Sequence, residues 1–120
     1  MLTYACVCWQ MACIDTEPAA AAAAELNAAY PGANVGLAPR LDLADMDSVR
    51  DVAGWFNAQG HPLHLLVNNA GANFFQTPWF TNAGVGGCAQ INFLSPYLLT
   101  RLLVRTLSSD RRCVCVCVCV

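Results

Sequence analysis

The chain has no lysine; its six basic residues are all arginines. Charge of either sign is scarce, at 12 % of 120 residues against the ~25 % usual for a soluble domain, while hydrophobic residues reach 57 %. Such a chain is rich in core and poor in surface, the composition of a piece whose remaining parts would cover it. It amounts to at most one small domain. No basic cluster exists beyond Arg111-Arg112, and the net charge is -2, so nucleic-acid binding has no electrostatic support. No apolar run reaches the roughly 18 residues that a membrane span needs: Ala19 to Ala24 are bounded by Pro18 and Glu25. Residues 1–15 lack a basic n-region and end in an acid, a poor signal peptide, so a cytoplasmic or organellar protein (chloroplast included) is expected rather than a secreted one. There are eight cysteines but no C-x-x-C pair, and His61 and His64 lie far from any cysteine in sequence. No metal site is expected; the thiols read as reduced, small core hydrophobes.

What is there begins with the oddest segment, "CVCVCVCV" at residues 113–120. Cys is encoded by TGT and Val by GTG, so a TG repeat read in frame yields Cys-Val without limit. The segment reads as a low-complexity, repeat-encoded tail, set apart from residues 1–112. Its period of two also suits a β-strand. Unpaired, it is apolar, uncharged, β-prone and free of proline, an aggregation hazard.

Elsewhere the pattern alternates. The apolar stretch from Tyr4 to Ile14 can hold a strand. Asp15-Thr16 offers a helix N-cap with Glu17 and Pro18 in the first turn, and an alanine-rich helix follows to about Ala29, stopped by Tyr30-Pro31-Gly32. Asn34 to Leu43 reads as a short strand that Pro39 weakens or sets at an edge. Asp45 or Asp47 caps the next helix, whose Val49, Val52, Ala53 and Phe56 share one face; Gly60 and Pro62 end it. Leu63 to Val67 is a short strand apolar on both faces, as buried parallel strands are. An aromatic-bearing loop, 72–80, leads to a long helical pattern from about Val85 to Leu107. The order β-α-β-α-β-α, with a further strand in the tail, predicts an α/β protein with a parallel sheet.

In such a sheet, ligands bind beyond the carboxyl ends of the strands. Asn68, Asn69, Ala70 and Gly71 follow one such end. Gly71 permits close backbone approach, and the carboxamides can tie loops together. A plain turn explains the same residues equally well.

"LVNNAG" after an apolar strand resembles the short-chain dehydrogenase/reductase family. "LDLADMDSVRDVAGWFNAQGHPLHLLVNNAG" resembles that family's third strand, next helix and fourth strand; "AQINFLSPYLLTRLLV" resembles the following helix; "ACIDTEPAAAAAAELNAAYPGANV" resembles the end of the second strand and its helix. The phrasing is most similar to the retinol-dehydrogenase-like and protochlorophyllide-reductase-like branch. The resemblance spans roughly residues 11–112, less than half of a full family domain. It implies an incomplete Rossmann-like, doubly wound parallel sheet, an NADP or NAD cofactor and a small-molecule substrate. Asp42 matches the acid that contacts the adenine amino group, with Leu43 beside it. Asn68 to Gly71 match the motif lining the adenosine side. Asn92 matches the asparagine of the Asn-Ser-Tyr-Lys catalytic set, whose main chain holds a water leading toward the lysine. Pro96 gives this last match a physical basis: four residues on, it cannot donate to the carbonyl of residue 92.

The departures from the family are large. The Thr-Gly-x-x-x-Gly-x-Gly turn that places the pyrophosphate on a helix N-terminus is missing, together with the strand that leads into it. Ile14 stands where this branch carries an arginine for the 2′-phosphate of NADP. Without lysine there is no Tyr-x-x-x-Lys pair, so the tyrosine acid/base that hydride transfer requires in this family is lacking, and no catalysis is expected of the chain. The family's first strand lies between its second and fourth; without it the sheet closes with a gap, the N-terminal segment substitutes, or the chain does not fold alone. "RRCVCV" falls where the family has an Arg-led fifth strand, and the tail is expected to imitate it, with Val118 near the position of the missing serine. Two readings remain: a catalytically dead fragment of a carbonyl/alcohol or conjugated-double-bond oxidoreductase, or a binding or regulatory remnant that pairs with another copy or with a full-length relative.

Overall fold

The first two helices begin at acidic residues visible in the sequence, in a computed structural model that describes residues 8–73, 78–104 and 114–119. Helix α1 (Thr16–Ala29) follows an extended Asp15, with Glu17 in its first turn, although the Asp15 side chain makes no capping bond. It stops at Tyr30, and Gly32 takes a φ of 96°, a conformation that glycine adopts at little cost. Helix α2 (Met46–Ala58) is capped by Asp45, whose carboxylate accepts the Asp47 N–H at 2.9 Å, which decides between the two candidate caps. Val49, Val52, Ala53 and Phe56 are all buried on its inner face.

Strand β1 (Cys8–Cys13) lies inside the expected Tyr4–Ile14 stretch, whose first residues fall outside the described chain. Strand β2 (Val35–Leu37) is far shorter than the Asn34–Leu43 segment from which it was expected. It ends ahead of Pro39 and sits at the edge of the sheet, where a proline is tolerated. Asn27 of α1 clamps it: its carboxamide donates to the Val35 carbonyl at 2.9 Å and accepts the Val35 N–H at 2.8 Å. Strand β3 (Leu65–Asn68) was expected to be covered on both faces. Instead it stands last in the row, and Leu65 is 52 % exposed.

The long helical pattern forms one continuous helix with a change of pitch. A short turn, α3 (Gly87–Ala89), passes into a π turn (Gln90–Leu94) and then into α4 (Ser95–Leu103). The wider turn lies immediately ahead of Pro96, whose ring and missing N–H forbid an ordinary bond to the Asn92 carbonyl. Strand β4 (Val114–Cys119) is formed by the Cys-Val alternation.

All strand pairings are parallel, and the order across the sheet is β2-β1-β4-β3. The fold is thus α/β, an incomplete Rossmann-like sheet. The tail does not sit where a fifth strand would, beyond β3. It lies between β1 and β3, in the place the family gives to its first strand. Gln10 pairs with Val116 on one side, and Leu66 pairs with Val116 on the other. An inner slot satisfies two rows of backbone hydrogen bonds and an outer edge only one, which favours the inner position. The expected gap is filled, and it is filled from the far end of the chain rather than by the N-terminal segment. On one face, α2 and α4 pack together over a core of Ala12, Leu41, Leu43, Val49, Phe56, Leu63, Leu99 and Leu103. On the other, α1 lies against β1 and β2 and buries Ala19 and Ala23 outside that core. No helix among the described residues is long and apolar enough to cross a membrane.

Candidate functional site

The site is organised by the helix carrying the π turn, which reaches both of the loops that follow β2 and β3. Asn68 closes β3, and its carboxamide donates to the Thr100 hydroxyl at 3.1 Å; that hydroxyl donates onward to the Pro96 carbonyl at 2.8 Å. Asn69 is exposed, and Ala70 is half-buried against the core. Gly71 has a spatial reason for lacking a side chain: a Cβ there would stand 3.3 Å from the Asn92 Oδ1. Asn92 uses its side chain as a peptide would use its backbone. Oδ1 accepts the Ala72 N–H at 2.7 Å, and Nδ2 donates to the Ala72 carbonyl at 2.7 Å. The close approach that Gly71 permits is therefore made by Asn92.

Asp42 lies past β2. Its Oδ1 accepts the Ala44 N–H at 2.9 Å, forming a tight local turn, and its Oδ2 meets the Arg40 guanidinium at 3.2 Å. Its own N–H donates to the Ser48 hydroxyl at 2.9 Å. Leu43 beside it is buried, and its carbonyl accepts the Ser95 hydroxyl at 2.6 Å. Gln90 donates to the Ala44 carbonyl at 2.6 Å and more distantly to Leu43. It also accepts the Thr81 hydroxyl. Asp42 and Leu43 are thus fixed through Gln90 and Ser95, and the Asn68–Gly71 turn through Asn92 and Thr100, all four on one helix.

Sequence reasoning missed Gln90, Ser95, Thr81 and Ser48. The first two carry no local signal in the sequence; what marks them is an irregular spacing of buried positions that shows only in the folded helix. The fully buried residues of the helix are Gln90, Ser95, Leu99 and Leu103, separated by five, four and four positions. A five-residue step on one face is what a π turn produces, because it inserts one residue into the 3.6 period.

Asp42 and Asn68–Gly71 follow the carboxyl ends of β2 and β3, where a sheet of this kind receives a dinucleotide. The pyrophosphate half does not fit. The central slot, from which the phosphate-binding turn would spring, holds β4, and β4 contains no glycine.

Comparison with known proteins agrees with this fold. The short chain dehydrogenase family model matches residues 6–120. Retinol dehydrogenase 11 of Mus musculus is 38 % identical over 101 residues, covering 83 % of this chain and 31 % of that protein. Polyprenol dehydrogenase of Mus musculus is 48 % identical over 70 residues, covering 58 % of this chain and 21 % of that one. The chain therefore spans under a third of the length of these relatives. Among solved structures, a metagenomic short-chain oxidoreductase in complex with NADP superposes with a TM-score of 0.63 at 30 % identity, over 82 % of this chain and 43 % of that one. The NADPH-bound carbonyl reductase from chicken fatty liver shares the fold, with a TM-score of 0.60 at 21 % identity, over 84 % of this chain and 40 % of that one. The chain belongs to the short-chain dehydrogenase/reductase family of NAD(P)-dependent oxidoreductases.

Proposed function

We propose that this chain is the central segment of an NAD(P)-dependent oxidoreductase acting on a carbonyl/alcohol pair or a conjugated double bond, with residues 1–112 the family segment and 113–120 the repeat-encoded tail. We further propose that the chain as it stands retains the adenosine side of the cofactor site and performs no hydride transfer. The observation carrying the first part is the shared anchoring of Asp42, Leu43 and Asn68–Gly71 on the π-turn helix. That anchoring keeps the adenosine-side residues assembled without the phosphate-binding turn. The second part rests on the chain's lack of lysine. A tyrosine cannot serve as acid/base near neutral pH in this family without a neighbouring cation to lower its pKa. Asn92 matches the asparagine of the set by resemblance, but the serine, tyrosine and lysine of the set have no counterparts in this sequence.

The test is an amide-resolved NMR titration of the full chain with 2′,5′-ADP and then with NADP, beside an NADPH-oxidation assay on aldehydes. The expected result is that both nucleotides shift the same amides, those of Asp42 and Asn68–Ala72, with no oxidation above the buffer rate. Unmoved amides overturn the adenosine-side reading, and turnover overturns inactivity. Mass spectrometry of the endogenous carboxyl-terminal peptide checks the family reading directly, since an intact enzyme would continue into Tyr-x-x-x-Lys.

A second reading, a non-catalytic chain that associates with a full-length relative, is supported by the outer edge of β3, which pairs with no further strand among the described residues, and by the exposed Leu65. Co-purification with such a relative is its test.

A further inference from the structure

The sheet contains a connection of the wrong hand, and it leads to β4. The link β1-α1-β2 steps one place across the sheet toward the β2 edge, and β3-α4-β4 steps one place in the same direction. Two parallel crossovers that step the same way have the same hand only if their helices lie on the same face. Here they lie on opposite faces. Ala12 of β1 belongs to the core beneath α2 and α4, whereas its neighbour Cys13, buried on the opposite side of the strand, does not, and α1 buries Ala19 and Ala23 outside that core. The link β2-α2-β3 steps in the opposite direction on the α4 face, and so has the hand of β1-α1-β2. Two of the three crossovers agree, and β3-α4-β4 is the exception. Crossovers of this kind are right-handed in roughly 98 % of cases, because a twisted strand feeding a helix packs back onto its sheet only that way.

The rule binds a strand and helix that return to their own sheet. It places no constraint on a strand donated to another sheet. We propose that the slot between β1 and β3 is a strand-acceptor site whose occupant in solution is β4 of a second copy, so that two chains exchange β4 reciprocally. Every backbone pairing is preserved by the exchange: Cys8–Cys13 and Leu65–Asn68 meet the same partners, now contributed in trans. Only the disfavoured connection is removed. Ten positions, 104–113, separate α4 from β4, and a chain of that length can reach at most about 33 Å. Exchange of an identical element between protomers is a low-cost route to a closed dimer. The inference rests on the sheet topology alone and is independent of the proposed function.

The experiment uses the full chain with a diazirine-bearing leucine analogue in place of Val116. Unlabelled and 15N-labelled protein are unfolded together, refolded and irradiated, and the crosslinked peptides are read by mass spectrometry. Val116 pairs with Gln10 and Leu66, so crosslinks from position 116 to the β1 and β3 peptides report the slot. Strand exchange is expected to give crosslinks joining light and heavy chains as often as chains of one label, with a light-scattering mass of two chains. Crosslinks confined to one isotope, a monomeric mass, or no crosslink from position 116 to β1 or β3 each overturn the proposal. The same mixture carrying Gln10→Ala, which leaves the backbone ladder intact, is expected to exchange unchanged.

Discussion

At the scale of single residues, the chain spends its few buried polar groups on joining the π-turn helix to the loops after β2 and β3. Gln90 is fully buried and holds the Thr81 hydroxyl and the Ala44 carbonyl. Gln90→Leu preserves volume but strands both partners, at a cost of roughly 1–3 kcal/mol for each buried group left without a bond. The expected outcome is a fall in unfolding free energy of about 2–4 kcal/mol in urea denaturation, with an unchanged m-value; no loss would mean that water replaces the carboxamide. Asn92→Ala removes two bonds from an exposed position, where water can compensate. The expected loss is only ~1 kcal/mol, with faster amide exchange at Ala72 as its signature.

These residues also mark the limit of what the sequence discloses. Asn68 and Gly71 could be singled out because a strand end followed by Asn-Asn-Ala-Gly is a local pattern, and Asn92 through its resemblance to the family motif, with Pro96 four residues on in support. Gln90 and Ser95 could not. Their partners are the carbonyls of Leu43 and Ala44, far away in the chain, and a polar residue in the middle of a helix reads as surface until a loop is known to lie over it.

At the scale of elements, α2 was legible almost to the residue, because cap, apolar face and terminating glycine all agree. Phe56→Ala in its inner face is expected to cost about 3–5 kcal/mol, enough to unfold a marginal domain, as read by loss of cooperative thermal melting. The strand after α1 was overestimated because Asn34 to Leu43 is apolar enough to propose a strand but Pro39 cuts its ladder short. Three paired residues hold little by themselves, so the Asn27 clamp matters more than its exposed position suggests. Asn27→Ala is expected to speed amide exchange in Val35–Leu37 before any other strand. The π turn is the element whose cause can be tested most directly. Pro96→Ala restores a donor opposite the Asn92 carbonyl and allows ordinary helical pitch. Ordinary pitch would rotate Asn92 away from Ala72. The expected result is faster exchange at Ala72 with global stability equal or higher; slower exchange there would dissociate the π turn from the proline.

At the scale of the whole molecule, the sheet depends on a strand whose existence was legible and whose location was not. Alternation over 113–120 announces a β-strand, but local pattern carries no information about which neighbours it joins; that is decided by which backbone rows are left open. Removing residues 113–120 opens both rows, on β1 and on β3, and separates β2-β1 from β3 within the sheet. The shortened chain is expected to lose its cooperative unfolding transition while keeping helical far-ultraviolet circular dichroism, and to aggregate through the freed edges. A cooperative transition in the shortened chain would show that the helical layer of α2 and α4 suffices without a continuous sheet.

The makeup of β4 carries one consequence for heredity. On the proposed TG-repeat origin of residues 113–120, slippage during copying that changes the tract by six bases adds or removes one Cys-Val unit without disturbing the frame. In most strands an insertion scrambles which residue faces which neighbour. Here the segment is its own translation by two residues, so a longer or shorter version lays the same alternation against Trp9–Cys13 and Leu65–Asn68. The middle of this sheet is therefore built from a segment in which the gain or loss of whole Cys-Val pairs leaves every facing position as it was.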